Sequence, residues 1–192
     1  NFATLAYQDA RVAGQRSSGE TAYATGLNLG TGVAVQSTSQ IVTQGAMQTT
    51  NNALDMALDG DGYFQVELPG GQLGYTRAGN FARSAEGQLV TQQGYALQPA
   101  ITIPEGAHDV SISPSGMVEA FLGTDTLPTE LGQLQLARFV NKAGLQSIGD
   151  NLYVETGSSG GPQIGPPNLD GNGNLMQAYL EMANVNPVTE IA

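Results

Sequence analysis

The chain has no cysteine, no tryptophan and a single histidine, and each absence excludes a kind of chemistry. Without cysteine there is no disulfide framework, no thiolate nucleophile and no cysteine-ligated metal site. One imidazole, that of His108, cannot form a site with several histidine ligands. Its surroundings, Glu105-Gly-Ala-His-Asp109, are typical of a polar turn. His108 is therefore predicted to be a solvent-exposed loop residue rather than a catalytic one.

Positive charge is also scarce. Six basic residues against seventeen acidic ones give a net charge of −11. The basic residues are scattered along the chain: Arg11, Arg16, Arg77, Arg83, Arg138 and Lys142. Nucleic acids and anionic membranes bind concentrated positive charge, so neither is predicted as a partner. No apolar run approaches the roughly 18 to 20 residues that span a bilayer, and no charged-then-apolar leader opens the chain.

The residues that are present indicate short strands. The chain has 192 residues, 40% of them hydrophobic, which is enough for one large domain or a domain with an appendage. From Ala57 onward, strand signals bounded by glycine, asparagine or proline recur about every ten residues, which favours antiparallel pairing over βαβ units. The predicted fold is mainly β: an antiparallel, irregular, β-rich domain with very little helix.

One segment shows the strand pattern most clearly. In residues 63–68, the side chains of Phe64, Val66 and Leu68 share one face, the period-two pattern of a half-buried strand. Further strands are predicted over 29–35, 41–42, 73–77, 81–83, 88–91, 95–98, 101–103, 110–113, 117–122, 131–140, 152–155 and 175–181.

Three regions of the chain differ in amino-acid composition. Residues 1–28 are predicted to be extended or flexible, and residues 29–183 to form the β-rich core. Within that core, residues 157–174 are rich in glycine and proline and are predicted to be a loop. Asn186-Pro187 is typical of a helix start, so residues 184–192 are predicted to be the root of a helix that the chain does not continue.

Two stretches resemble calcium loops. Asp170, Asn172, Asn174 and Glu181 occupy the first, third, fifth and twelfth ligand positions. Leu175, however, stands where such a loop needs glycine for its sharp turn. Asp59-Gly-Asp-Gly62 lacks a carboxylate at its twelfth position and is predicted to be a turn. No metal site is predicted.

Acidic pairs and aromatic residues leave one alternative from another class of protein. Three acidic pairs can in principle serve a glycosidase: Asp59 with Asp61, Glu105 with Asp109, and Asp125 with Glu130. Such pairs arise by chance in an acidic chain. The aromatic residues on successive strands, Tyr63, Tyr75, Phe81 and Tyr95, are predicted to pack across strands rather than to form a sugar-binding platform. No catalytic, cofactor or metal residue is predicted.

Three motifs in order carry a family resemblance. They are Thr50-Asn-Asn-Ala-Leu-Asp-Met-Ala-Leu-Asp-Gly-Asp-Gly-Tyr-Phe-Gln-Val66, Gly74-Tyr-Thr-Arg-Ala-Gly-Asn-Phe81 and Gly87-Gln-Leu-Val-Thr-Gln-Gln-Gly-Tyr95. At this spacing they resemble the bacterial flagellar rod and hook proteins, the axial proteins of the basal body. The resemblance extends from Gly26 to Asn186. Within the family, Thr25-Gly-Leu-Asn-Leu-Gly-Thr-Gly-Val33 is most similar to distal rod subunits.

The resemblance implies a mechanical function and no enzymatic one. It implies a structural subunit that polymerises helically into a rigid drive shaft and transmits motor torque to the hook. The implied partners are copies of the same chain, proximal rod, hook and basal-body ring proteins. The implied location is the periplasmic rod, reached by type III export. The alternatives are a hook or proximal-rod subunit, or a secreted carbohydrate-binding or glycosidase β-domain.

The resemblance also bears on the ends of the chain. Family members carry N- and C-terminal helices that pair into an inner tube, and neither is recognised in this sequence. The chain is therefore expected to be a core fragment and a monomer in solution. Residues 1–28 resemble a rod-specific insertion that packs against neighbouring subunits and stiffens the assembly.

Overall fold

The computed structural model describes residues 44–183 together with two short segments, Val12–Ala13 (β1) and Ala22–Tyr23 (β2). The chain divides into two compact units, Asn1–Gln40 and Ile41–Ala192. In the first unit, β1 pairs with β2 in parallel. The strands predicted at 29–35 and 41–42, the boundary at residue 28 and the helix root at 184–192 all lie outside the described residues.

The described part of the second unit is built from short strands. They are Met47–Thr49 (β3), Met56–Asp59 (β4), Tyr63–Glu67 (β5), Leu73–Thr76 (β6), Ala82–Arg83 (β7), Leu89–Val90 (β8), Leu97–Gln98 (β9), Ala107–Ile112 (β10), Met117–Leu122 (β11), Thr129–Gln133 (β12), Leu136–Arg138 (β13), Gln146–Gly149 (β14), Leu152–Val154 (β15), Gln163–Gly165 (β16), Asn174–Gln177 (β17) and Tyr179–Glu181 (β18). All their pairings are antiparallel. The only helical piece in residues 44–183 is a 3₁₀ turn at Lys142–Gly144. The predicted fold class is confirmed.

A seven-stranded sheet forms the body of this unit. Its strand order is β14-β15-β6-β5-β13-β16, and β9 pairs with β5 beside β13. One edge of β5 pairs along its length with β6, whereas β13 and β9 share the other edge. β5 is therefore a central strand.

The prediction that β5 is half-buried is wrong, because both of its faces are covered. Phe64 and Val66 lie in the main core, with 0% of each residue exposed. Tyr63, on the opposite face, is 1% exposed and packs in a second cluster with Tyr75 and Phe139. The alternation of side chains is as predicted. A second apolar layer beneath the sheet depends on residues far along the chain, which strand periodicity does not reveal.

The main core also joins the body to a three-stranded sheet of order β10-β11-β12. Ile112 and Val118 of this small sheet belong to the same buried cluster as Phe64. The single strand predicted at 131–140 is wrong, because β12 belongs to the small sheet and β13 to the large one. Leu134, fully buried, lies at the crossing and donates its N–H to Gly116 O at 2.8 Å.

Other strand predictions differ from the structure at identifiable residues. The strand predicted at 175–181 is broken at Ala178, which has a φ of +66° and separates β17 from β18. The predicted loop at 157–174 contains β16, which pairs with β13. β3, β4 and β14 were not predicted. Their sequences lack alternation, and they form because partner strands lie beside them.

Candidate functional site

The first and last strands of the described domain pair with each other. Residues 44–50 and 178–183, called the stem below, contain β3 and β18. Met182 N donates to Ala46 O at 2.7 Å, and Thr50 N donates to Ala178 O at 2.8 Å. A Cβ on Gly45 would overlap the carbonyl oxygen of Met182. The chain therefore enters and leaves the domain side by side.

The stem contributes no residue to the buried core. Every residue of the stem is exposed or half-buried. β3 pairs only with β18 among the described residues, so the stem is a two-stranded ribbon. Such ribbons are marginally stable by themselves in water. Apolar burial of the stem is only partial, so polar contacts with the body of the domain matter for holding it in place.

The guanidinium of Arg77 bonds to both the stem and the body of the domain. Towards the body, Arg77 Nη1 donates to Gly60 O at 2.7 Å and to Gly62 O at 2.9 Å, and Nη2 donates to Leu58 O at 3.3 Å. Towards the stem, Nε donates to Glu181 Oε1 at 3.1 Å and Nη2 to Glu181 Oε2 at 3.2 Å. All three guanidinium nitrogens are thus bonded. Arg77 connects the turn between β4 and β5 to the last strand.

The two stem segments complete this cluster, called the Arg77 clamp below. Glu181 Oε2 accepts hydrogen bonds from Gly45 N at 2.7 Å and from Gln44 Nε2 at 3.1 Å. Gln44 Oε1 accepts from Arg77 Nη2 and from Gly60 N, both at 3.1 Å. Residues from before β3, after β4, after β6 and within β18 are therefore tied together by side-chain bonds.

The ion pair in the Arg77 clamp is shielded from solvent. The side chains of Arg77 and Glu181 are only 14% and 9% exposed. Removing one partner of such a pair leaves the other charge buried and uncompensated, which costs about 3–5 kcal/mol. Lysine cannot replace Arg77, because a single ammonium does not reach two carboxylate oxygens and three carbonyls at once.

Local backbone geometry places Arg77 there. Gly60 and Gly62 have φ values of +125° and +130°, a region open to glycine, and their carbonyls face the guanidinium. Thr76 Oγ1 accepts from Ala78 N at 3.0 Å and turns the chain immediately after Arg77. The first two motifs that carry the family resemblance therefore meet in the Arg77 clamp.

The two acidic residues of the Asp59-Gly-Asp-Gly62 turn have different surroundings. Asp59 is exposed at the end of β4, opposite Asn174 of β17. Asp61 Oδ1 accepts from Gly62 N at 2.9 Å and lies 3.8 Å from Lys142 Nζ. The segment is a turn, as predicted.

The four residues at calcium-loop spacing are not brought together. Glu181 belongs to the Arg77 clamp, and Asn174 lies within β17. The amide of Asn172 donates to Pro166 O at 2.8 Å. Asp170 has a φ of +55°, and its carbonyl oxygen accepts from Arg138 Nη2. Residues 44–183 contain no group of three or more His, Asp or Glu side chains that could hold a metal ion.

The prediction that His108 lies in a loop is wrong, because His108 is the second residue of β10. Its side chain is 49% exposed. Nδ1 lies 3.0 Å from Asp109 Oδ2 and Nε2 lies 2.8 Å from Gly123 O, so both nitrogens face acceptors. These two hydrogen bonds, the one to Asp109 first, raise the pKa of His108. The pairing of β10 with β11 is irregular between His108 and Ser111, and the imidazole stacks on the ring of Phe121 at 6.1 Å between centroids.

The predicted aromatic packing is confirmed for the buried rings. Tyr63 and Tyr75 each contact Phe139 edge-to-face, at 5.9 Å and 4.8 Å between ring centroids, and Phe64 contacts Phe81 at 5.2 Å. The Tyr63 hydroxyl has no hydrogen-bond partner among the described residues. Burial raises the pKa of Tyr63 to about 12, and the charge of Arg77 opposes this shift.

The remaining candidates are dispersed on the surface. Glu105, Asp109, Asp125 and Glu130 are exposed or half-buried, and Tyr95 is half-buried against the main core. No helix in the described part of the chain is long and apolar enough to cross a membrane. The sequence did not point to the Arg77 clamp. Its one signal was a lone arginine directly after a strand of buried type, and the partner lies 104 residues further along the chain.

Comparison with known proteins places these features in a family. Residues 57–120 match the family described as the flagellar hook protein FlgE/F/G D1 domain. The chain is 44% identical over 191 residues to the flagellar basal-body rod protein FlgG of Caulobacter vibrioides, covering 99% of this chain and 73% of that protein. It is 45% identical over 190 residues to FlgG of Buchnera aphidicola subsp. Acyrthosiphon pisum, with the same coverage.

The match to a second rod protein is weaker. The chain is 35% identical over 153 residues to the flagellar basal-body rod protein FlgF of Caulobacter vibrioides, covering 78% of this chain and 57% of that protein. The FlgG matches thus extend through residues that the FlgF match leaves out, and a carbohydrate-binding domain is not favoured. The chain belongs to the FlgG family of flagellar basal-body rod proteins.

Proposed function

We propose that this chain is a structural subunit of the flagellar distal rod, which stacks helically with copies of itself and transmits motor torque to the hook. The match to FlgG over 99% of the chain supports the assignment. The geometry of the stem also supports the assignment. Two chain segments that leave the domain side by side, held by an ion pair that is largely shielded from solvent, connect the β-domain to whatever precedes and follows it.

A mechanical function requires a rigid structure and no reactive groups. The central strand β5 is covered on both faces, and the stem is bonded to the body through all three nitrogens of Arg77. We propose that the chain catalyses no reaction. The acidic residues considered as glycosidase pairs lie at exposed or half-buried positions of turns and strands.

The organisation of the full rod subunit follows from the same proposal. Residues 29–183 form the β-rich core, residues 1–28 pack against neighbouring subunits, and residues 184–192 begin a helix. Copies of the chain, proximal rod, hook and ring proteins are its partners in the periplasm, after type III export. Heterologous contacts between identical subunits generate open helical assemblies, which suits a shaft.

A segment exchange tests this function. In the FlgG of Caulobacter vibrioides, the segment that this chain matches is replaced by the chain itself. The chimera is expected to restore swimming in soft agar and rods in isolated basal bodies. The same exchange into FlgF of that organism is the control and is expected to restore neither. A FlgG chimera that accumulates at normal levels but yields basal bodies without a distal rod contradicts the proposal.

Experiments on the isolated chain test whether the β-domain polymerises by itself. We propose that the β-domain alone does not polymerise and that the 192-residue chain is a monomer. Sedimentation velocity at micromolar concentration is expected to give a single species of about 20 kDa, near the mass of 19.9 kDa. Rods or large oligomers under these conditions contradict this part of the proposal.

A further inference from the structure

We propose that Arg77 is a positioning residue that fixes the stem to the body of the domain, and thereby sets the direction in which the flanking segments leave it. The structural part concerns the domain itself. Its consequence for the rod rests on the proposed function.

The first step of the argument is the contrast between stem and body. The body is closed by a buried apolar cluster that includes Phe64, Val66 and Leu136, each with 0% of its surface exposed. The stem has no buried residue, and among the described strands β3 and β18 pair only with each other. Regions with few buried apolar contacts open at lower free energy than the core does. The stem can therefore hinge without unfolding the body.

The second step is that the guanidinium lies between the two parts. Its contacts to Leu58, Gly60 and Gly62 belong to the body, and its contacts to Gln44 and Glu181 belong to the stem. The planar group has five N–H donors in a fixed arrangement, so it holds both sides at a defined angle. A flexible ammonium would tether the stem without orienting it.

The third step concerns what else connects the stem. Ala178 N donates to Asp55 O at 2.8 Å, and Gln44 Nε2 donates to Leu58 O at 3.1 Å. The first bond lies at the inner end of the stem and serves as a pivot. The second runs through Gln44, whose own amide oxygen is held by Arg77 at 3.1 Å. Without Arg77, the outer end of the stem keeps, within residues 44–183, only the two bonds of the Gln44 amide, to Leu58 O and from Gly60 N, so it is loosened while the pivot remains.

Hydrogen exchange on the purified chain tests the inference at single segments. Arg77→Met keeps much of the side-chain length and removes the charge and the donors. Amides of residues 44–50 and 178–183 are expected to exchange roughly tenfold faster or more, whereas amides of β5 and β13 keep their rates. Arg83→Met is the matched control. Arg83 donates to Ile103 O and Pro104 O and does not contact the stem, so its removal is expected to leave the stem unchanged.

Two outcomes overturn the inference. One is an increase spread evenly over the domain, which indicates a general loss of stability. The other is a stem that exchanges at the original rate. Glu181→Gln provides a second route if Arg77→Met does not fold. It keeps the shape of the side chain, removes its charge, and is expected to speed exchange in the same segments. The double variant is expected to exchange little faster than Arg77→Met alone, because both substitutions remove the ion pair between Arg77 and Glu181.

The consequence for the rod is tested in the chimera described above. The chimera carrying Arg77→Met is expected to be exported at normal levels but to restore less swimming than the unchanged chimera in medium of raised viscosity. Equal swimming by both chimeras contradicts that consequence. If the unchanged chimera itself fails, the proposed function falls, and the exchange rates still decide whether Arg77 orients the stem.

Discussion

The side chain of Gln177 pairs with the backbone of Ile112 as a neighbouring strand would. Ile112 N donates to Gln177 Oε1 at 3.0 Å, and Gln177 Nε2 donates to Val110 O at 2.8 Å. The same Nε2 donates to Ala53 O at 2.9 Å. No strand within residues 44–183 pairs with this edge of β10, so one side chain from β17 bonds the backbone groups there and ties the small sheet to the body.

Replacing Gln177 by methionine is expected to lower the free energy of unfolding by about 1–3 kcal/mol, because it keeps the volume but leaves partly buried backbone groups of β10 unsatisfied. Urea unfolding followed by circular dichroism measures the change. Gln146→Met, at an exposed position of β14, is the control and is expected to change the free energy by less than about 0.5 kcal/mol. Equal effects of the two substitutions would falsify the role given to Gln177.

The pKa of His108 is expected to lie above its ordinary value of 6.5, because both ring nitrogens face acceptors. Because folding raises this pKa, protonated His108 stabilises the folded state. That contribution is fully present below pH 6.5 and is lost as the pH rises through the folded-state pKa. An NMR titration of the Hε1 signal measures it without ambiguity, since the chain has one histidine. Asp109→Asn is expected to lower the pKa. A value at or below 6.5 in the unchanged chain contradicts the geometry.

Removal of the Tyr63 hydroxyl is expected to be tolerated at neutral pH. The hydroxyl has no partner among the described residues, so Tyr63→Phe is expected to change the free energy of unfolding by no more than about 1 kcal/mol at pH 7. The pKa of Tyr63 rises from 10.0 to about 12 on folding, so its contribution is complete below pH 10 and is lost as the pH rises through 12. The variant should therefore lose less stability between pH 7 and pH 11, as measured by urea unfolding. An identical loss in both proteins argues against a buried hydroxyl.

A methyl group at Gly79 is expected to disrupt the fold. The Cβ of Gly79→Ala would overlap the carbonyl oxygen of Met56, in a segment where Met56 N donates to Gly79 O at 3.0 Å. A loss of about 3 kcal/mol or more is expected, because a backbone carbonyl must shift to make room. Gly157→Ala is the control, since nothing lies within 4 Å of its added Cβ, and it is expected to be nearly neutral. Thermal unfolding compares the two variants, and equal melting temperatures would contradict the close approach.

Strands were predicted correctly where their own sequence alternates between apolar and polar residues and ends at a turn residue. β11 begins and ends where alternation and the Pro114-Ser-Gly116 turn placed it, and β5 and β6 are each within one residue of their predicted extents. Glycine explains the accuracy at these ends, because Gly116 has a φ of +94°, a conformation that other residues adopt at a cost.

Pairings between distant segments were not predictable in the same way. β4 is a continuous apolar run without alternation, and it is a strand because Asn174–Gln177 lies beside it. The second buried face of β5 depends on Phe139 and Leu145. The Arg77 clamp joins residues 104 positions apart, and no neighbour in sequence marks Arg77 or Glu181 as one of an ion pair. Each of these features is a property of the tertiary structure alone.

The pairing of β3 with β18 has a consequence for the order of folding. The stem joins Gln44 to Glu181 across 137 residues, among the most distant contacts in the described domain. Closing so long a loop has an entropic cost that only a folded body offsets, so contacts of this sequence separation form late. The two ends of the described domain, at residues 44 and 183, are therefore expected to come together only after the body between them has folded.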